Sequence, residues 1–152
     1  MNTPQVTTIP AKDLSQQAPA SPRIRTGGYA ILSRMADKGR SEIAGTIGSY
    51  HFDCPLDNYL FDFKGVKGKD LRDLLETGVS DQEVAAWLDS HGIPKTEAEK
   101  NDWSDSVEAA RPYDNPEMKD WFIGVCAEAG IDPANSTLFD FLEVDDKASF
   151  GG

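Results

Sequence analysis

The chain has 152 residues, a length that suits one domain with a sizeable buried core. Hydrophobic residues make up 39% and charged residues 27%, as in folded soluble proteins rather than disordered ones. The net charge of −11 argues against nucleic acid and anionic membranes as partners, because both are polyanions. No apolar run approaches the ~20 residues of a membrane span, and the first residues lack a secretory signal pattern. A cytoplasmic location is therefore expected.

The acidic charge lies in the C-terminal half of the chain. Residues 1–75 carry ten Lys and Arg against eight Asp and Glu, a net +2. Residues 76–152 carry five against eighteen, a net −13. Such a surface keeps open the role of a scaffold subunit that meets a basic partner in a larger assembly.

The cysteines and histidines are too few to predict a metal centre. Cys54 and Cys126 are far apart in sequence, and the histidines are His51 and His91. Without a Cys-x-x-Cys pair, free thiols are expected in a reducing compartment, and no metal or other cofactor is indicated.

The chain order predicts an N-terminal arm, one helical domain and a short tail. Residues 1–20 are polar and proline-containing, so we expect a flexible arm with Leu14 as its anchor. Residues 21–146 form the single domain, and 147–152 are expected to be a loose tail.

The first part of the domain carries one long helix, a short extended segment and a second helix start. Helical spacing of apolar residues predicts a helix from Gly28 to about Ala44, capped by Thr26, with a kink or close packing at Gly39. Residues 49–54 alternate in polarity and predict a strand or merely an extended segment. Cys54 and the following proline then begin a helix that runs to Gly65.

The remaining chain predicts further helices at 69–77, 80–92, 96–111, 115–130 and 136–144. Ser80 and Thr96 each open a capping box with a glutamate three residues later. The three tryptophans, Trp87, Trp103 and Trp121, are expected in the core, one per helix. The fold class is therefore all-α, a single-domain bundle with at most one short β element near 49–54.

A cluster of cations in the first helix predicts a small-anion site. Arg34 and Lys38 share a helix face, and glycines before the helix leave backbone N–H groups open to an anion. The competing interpretation is that the cations pair with nearby carboxylates, including Asp37, Glu42, Asp53 and Asp57. The candidate ligand-binding residues are Arg23, Arg25, Gly28, Tyr29, Arg34, Lys38, Tyr50, His51 and Cys54.

Cys54 is the candidate for catalysis. A thiol at a helix N-terminus faces unpaired N–H groups and the positive end of the helix dipole, which favour the thiolate. His51 could act beside it as a base. One Cys and one His are a weak signal, however, and a cysteine among aromatic residues is commonly a small core residue.

The segments SPRIRTGGYAILSRMADKGR and YHFDCPLDNYLFDF resemble a bacterial family catalogued as domain of unknown function 5069. The similarity covers mainly residues 12–65 and, more loosely, the helix from Ser80 to Gly92. It implies a bacterial, cytosolic protein and assigns no catalytic role to any residue.

The sequence thus favours a binding or interaction module, for a small anion or a protein partner, over an enzyme. The alternatives are an enzyme with Cys54 as nucleophile beside His51, and a scaffold subunit.

Overall fold

The computed structural model describes residues 10–150, and its helices confirm an all-α single domain. Short 3-10 turns at Pro112–Asp114 and Pro133–Asn135 precede the last two helices. Among the described residues, no helix combines the length and apolar character that crossing a bilayer requires. The seven helices are α1 (Leu32–Ala44), α2 (Pro55–Lys64), α3 (Gly68–Glu76), α4 (Asp81–Ser90), α5 (Glu97–Glu108), α6 (Lys119–Ala129) and α7 (Leu138–Phe150).

Helix α1 is the central element of the fold. It packs against α2, α3 and α4, and residues 32–41 are all buried. A helix covered on every side is ordinarily apolar all round, yet this stretch includes Arg34, Asp37, Lys38 and Arg40. Because an unpaired buried charge is costly, each of these side chains needs a partner on a neighbouring element.

Gly39 lets α3 approach α1 closely, as the sequence predicted. A Cβ atom at this position would stand 2.4 Å from Leu75 Cδ1 and 3.0 Å from Phe52 Cε1. Any larger residue would therefore push α3 and the segment before α2 away from α1.

The helix start of α1 differs from the prediction. Thr26 and Tyr29 exchange backbone hydrogen bonds of 3.1 and 3.0 Å in a tight turn, so Thr26 caps no helix. Ile31 then takes a left-handed conformation with φ 74°, and its N–H donates to Pro22 O at 3.0 Å. The helix begins only after this residue, at Leu32, because the left-handed backbone interrupts helical geometry.

The short β element considered at 49–54 does not form, and within residues 10–150 no strand is present. The segment instead makes two turns before α2. Asp53 has a positive φ of 61°, which interrupts the extended backbone that the alternation of residues suggested. The predicted helix start at Cys54 and Pro55 is confirmed, with Cys54 as N-cap.

The predicted capping boxes are confirmed at both sites. Ser80 Oγ accepts a hydrogen bond from the Glu83 N–H, and the Glu83 carboxylate accepts one from the Ser80 N–H, at 3.1 and 3.0 Å. Thr96 and Glu99 form the same reciprocal pair at 3.1 and 2.8 Å. These bonds satisfy N–H groups that a helix start otherwise leaves without a partner.

Helices α6 and α7 build a second, smaller core. It is centred on Phe122, Cys126 and Phe141, and the rings of Phe122 and Phe141 lie 6.1 Å apart. The prediction that Trp121 is a core residue is wrong, since its side chain is 48% exposed. Successive helical residues are about 100° apart, so the Trp121 side chain lies at the edge of the face that Phe122 buries.

The two ends of the described chain pack on the domain. Leu14 is 1% exposed, and its N–H donates to Thr46 O at 2.8 Å. Helix α7 continues past the expected end at Val144 to Phe150, so residues 147–150 of the predicted tail are helical. The remaining parts of the predicted arm and tail, 1–9 and 151–152, lie outside the described residues.

Candidate functional site

Two buried cations of α1 bind carboxylates from distant parts of the chain. Arg34 Nη1 lies 2.7 Å from Asp146 Oδ2 on α7, and the Arg34 side chain is 4% exposed. Arg40 Nη2 lies 2.7 Å from Asp81 Oδ1 at the start of α4. Both guanidinium groups therefore hold surrounding helices against α1.

Tyr50 joins the pair of Arg34 and Asp146. The Tyr50 hydroxyl donates to Asp146 Oδ1 at 2.8 Å, and Arg34 Cζ lies 5.5 Å from the centre of the Tyr50 ring. Burial and the hydrogen bond to Asp146 raise the pKa of Tyr50. The negative charge at this point is supplied by the chain itself.

Arg23 and Arg25 also have acidic partners. Arg23 Nε donates to Glu143 Oε1 at 2.8 Å, and its Nη2 pairs with Asp140. Arg25 Nη2 lies 2.7 Å from Asp105 Oδ1 on α5. Burial works to raise the pKa of Glu143, but the hydrogen bonds from Arg23 and Ser21, together with the charge of Arg23, hold that pKa below its ordinary value.

Gly28 and Tyr29 face α4 and α5 instead of the cations of α1. The Tyr29 side chain is completely buried, and its hydroxyl donates to Asp89 at 2.7 Å. Lys100 Nζ lies 4.8 Å from the centre of the same ring. Burial and the Asp89 hydrogen bond raise the pKa of Tyr29. A Cβ atom at Gly28 would meet Lys100 Cε at 3.1 Å, so the open backbone admits Lys100.

Lys38, Asp57 and Cys54 form a compact group where α1 meets the start of α2. Lys38 Nζ lies 3.0 Å from Asp57 Oδ1 and donates to Cys54 Sγ at 3.1 Å. Lys38 is 3% exposed and Asp57 is completely buried. Burial raises the pKa of Asp57, although the charge of Lys38 acts in the opposite direction.

The predicted site residues therefore occupy separate places. Arg23, Arg34 and Tyr50 meet α7, Lys38 meets α2, and Gly28 and Tyr29 meet α4 and α5. His51 is exposed, and within residues 10–150 no hydrogen bond joins it to Cys54. Because each predicted cation already has a carboxylate partner, the geometry gives the anion-site prediction little support, and it stays a prediction. The cations meant are Arg23, Arg25, Arg34, Lys38 and Arg40.

An apolar hollow of about 480 Å³ opens beside Cys54, between the start of α2 and the turn into α6. Tyr59 and Trp121 contribute aromatic surface from α2 and α6, and they are 37% and 48% exposed. A smaller cavity of about 80 Å³ continues from it along the 3-10 turn at Pro112–Asp114. The hollow is lined by Cys54, Pro55, Leu56, Tyr59, Glu117, Met118, Trp121 and Leu138.

A larger cavity of about 740 Å³ lies between the N-terminal arm and α7. Its lining includes the carboxylates of Asp140, Glu143 and Asp146, which already pair with Arg23 and Arg34. These carboxylates are therefore engaged within the fold, whereas Lys147, which also lines the cavity, forms no ion pair within residues 10–150.

Of the residues that line the hollow, the sequence analysis assigned Trp121 to a helix core and Cys54 to catalysis. Tyr59 precedes the buried Leu60, and Trp121 precedes the buried Phe122. Neighbouring residues in a helix point about 100° apart, so one of two adjacent large apolar side chains can lie at the edge of the buried face, as Tyr59 and Trp121 do, although Leu60 and Phe61 are both buried. The pairs of adjacent large apolar residues, Tyr59 with Leu60 and Trp121 with Phe122, were the feature of the sequence that could have indicated an exposed aromatic side chain.

Comparison with known proteins identifies the family. A search of curated proteins found no match to the chain. A family model described as a domain of unknown function (DUF5069) matches residues 16–148, a range that includes α1 to α6 and nearly all of α7. The resemblance drawn from residues 12–65 is thereby confirmed and extended. The chain belongs to the DUF5069 family.

Proposed function

We propose that this domain is a binding module and that its ligand site is the apolar hollow between α2 and α6. One observation carries the proposal: Tyr59 and Trp121 expose aromatic surface to a single hollow whose walls are almost entirely apolar. Exposed aromatic surface that borders a concave apolar wall is typical of places where a ligand or partner removes that surface from water.

The composition of the lining favours recognition of an apolar group. Met118 lines the hollow, and the Tyr59 hydroxyl is 4.0 Å from the Met118 sulfur. Methionine and aromatic side chains offer a polarisable surface that adapts to the shape of an aliphatic or aromatic ligand. A volume of about 480 Å³ accommodates one large side chain or a small aromatic molecule.

A neutral aromatic probe tests the proposed site without involving charge. We expect indole to cause saturable amide chemical-shift changes around Tyr59, Met118 and Trp121 in a two-dimensional NMR titration. Trp121→Ala should abolish them, since it removes one wall of the hollow. Ile93→Ala is the control, because Ile93 is a 49% exposed apolar residue at the other end of α2.

Two outcomes would contradict the proposal. One is the absence of any saturable shift up to the solubility limit of the probe. The other is a set of shifts that is the same in wild type and Trp121→Ala, because the probe would then bind elsewhere.

A second candidate function is thiol chemistry at Cys54. The supporting observation is the hydrogen bond of 3.1 Å from the Lys38 ammonium to Cys54 Sγ, at the N-terminus of α2 and on the wall of the hollow. A cation beside the sulfur stabilises the thiolate, which is the nucleophilic form. The exposed ring of His51 plays no part in this contact, so Lys38 replaces it in the proposed role.

Alkylation by iodoacetamide tests this candidate. In the folded protein iodoacetamide should alkylate Cys54, and the double variant Lys38→Met with Asp57→Leu, which removes both buried charges together, should slow the reaction. Cys126 is completely buried and serves as the internal control, labelled only after unfolding. An equal rate in wild type and the double variant, or labelling of Cys54 only in denaturant, would eliminate the enzyme hypothesis.

A further inference from the structure

We propose that the occupant of the hollow is a cationic segment of a partner protein, which inserts an apolar side chain and places Lys or Arg around it. This inference rests on the proposed function and adds the chemistry of the ligand. It follows from the charges at the rim of the hollow and from the open backbone of α6.

The carboxylates around the hollow have no cation of their own. Glu117 lines the hollow, and Asp120 lies in the first turn of α6. Within residues 10–150, neither of them forms an ion pair, and the same holds for Asp62 on α2. Lys119 forms no ion pair with them, and its ammonium lies 4.4 Å from the centre of the Tyr113 ring.

Helical periodicity places Asp62 and a further carboxylate, Glu128, in line with the aromatic walls, and Glu128 likewise forms no ion pair within residues 10–150. On α2, Tyr59 and Asp62 are three residues apart and share a face. On α6, Trp121 and Glu128 are seven residues apart and also share a face. Each wall of the hollow therefore continues into a carboxylate, a pattern that suits an apolar anchor flanked by positive charge.

Gly124 leaves the backbone of α6 open on the side that carries Trp121. It lies three residues after Trp121, and apart from its two chain neighbours and the adjacent backbone of α6, no heavy atom of the described chain lies within 4 Å of where its Cβ would be. Glycine inside an exposed helix costs about 1 kcal/mol relative to alanine, and no packing within residues 10–150 accounts for it. A partner segment that approaches this bare backbone closely does account for it.

The rim charges disfavour other occupants. A second copy of the chain carries the same net charge of −11, and like charges at an interface are repulsive. Nucleic acid and anionic lipid are repelled for the same reason. A basic protein segment satisfies the apolar walls and the rim carboxylates together.

Fluorescence anisotropy with labelled synthetic peptides tests the inference. The probe is a short amphipathic peptide of Leu and Lys, and its matched control replaces every Lys by Glu. We expect the Lys peptide to bind and the Glu peptide not to bind. Binding should weaken as salt is raised, because the rim charges are exposed to solvent.

Protein variants then separate the apolar anchor from the charges. Trp121→Ala should weaken binding of the Lys peptide at least about tenfold. The double variant Glu117→Gln with Asp120→Asn should weaken it about threefold to tenfold. Asp70→Asn with Asp102→Asn is the control pair and should leave binding unchanged. Like the rim pair, it removes one carboxylate from a first helical turn and one other exposed carboxylate.

The outcomes distinguish failure of this inference from failure of the proposed function. Equal binding of the two peptides, or equal weakening by the rim and control pairs, would overturn the cationic partner. Binding of indole without binding of the Lys peptide would do the same and leave the hollow as a site. Failure of both indole and peptide would overturn both proposals.

Discussion

The cationic helix α1 and the hollow between α2 and α6 are the two regions that offer chemistry for binding, and they differ in how far their groups are satisfied. Arg34, Lys38 and Arg40 are buried, and each is paired with a carboxylate of another helix. In the hollow, Tyr59 and Trp121 remain exposed, and the neighbouring carboxylates have no ion-pair partner within residues 10–150.

The difference shows that residue type alone is a poor guide to a site in this protein. A buried cation whose partner lies in the same chain contributes to the arrangement of the helices and leaves no charge for a ligand. Aromatic surface that the fold leaves in water lowers the free energy of the system only when something else covers it. Unsatisfied groups, not charged ones, distinguish the candidate site.

The largest expected effect is loss of the buried pair at the start of α2. Asp57→Ala should lower the free energy of unfolding by about 3–5 kcal/mol, because it leaves the Lys38 ammonium buried without a counter-charge. Urea unfolding followed by circular dichroism measures it. The matched control is Glu42→Ala, which removes the partner of Arg72 in a pair whose side chains are 39% and 40% exposed.

Glu42→Ala should cost less than about 1 kcal/mol, since exposed pairs are screened by water. Similar losses for the two variants would show that the Asp57 pair is not structural in the way proposed. The double variant Lys38→Met with Asp57→Leu should recover most of the stability, because it removes both charges together.

The next effect contrasts two neighbouring aromatic residues of α6. Phe122→Ala should cost about 3–5 kcal/mol of stability, since it empties the centre of the second core. Trp121→Ala should cost about 1 kcal/mol while it abolishes binding of indole. Thermal unfolding and the NMR titration measure the two quantities. If Trp121→Ala destabilises the fold as much as Phe122→Ala, Trp121 is a core residue and not a binding residue.

The smallest effect concerns pH. The pKa values of Asp140 and Glu143 are both lowered in the folded protein. For Asp140 the main cause is the hydrogen bond from the Thr137 N–H. For Glu143 burial acts to raise the pKa, and the hydrogen bonds from Arg23 and Ser21 lower it. Both groups therefore stabilise the fold above their ordinary pKa range, and this stability is lost as the pH falls through their lowered values.

Arg23→Ala should reduce the loss of unfolding free energy at acidic pH by up to about 1 kcal/mol. The effect is modest because the carboxylates of Asp140 and Glu143 are 44% and 39% exposed. Urea unfolding of wild type and variant at a series of acidic pH values measures the slope. An unchanged slope would show that Arg23 does not control these titrations.

The all-α class and the capping boxes at Ser80 and Thr96 were predictable because they depend on residues close together in the chain. Ser80 and Glu83 are three residues apart, so their capping box is visible in the sequence. The same holds for the helix stop at Gly130, whose left-handed conformation and neighbouring Ile131 N–H bond to Cys126 O follow a local motif. The close packing at Gly39 was foreseen from one glycine inside a helical pattern.

The partners of the charges and the location of the hollow came only from the folded chain. Arg34 and Asp146 are 112 residues apart, and many carboxylates in an acidic chain were equally plausible partners for each cation. Likewise, helical periodicity predicted the apolar face of α6. It did not show which edge of that face α7 would leave exposed to solvent. A short-range pattern specifies the form of a helix, whereas exposure and charge pairing depend on which surfaces meet when the seven helices pack together.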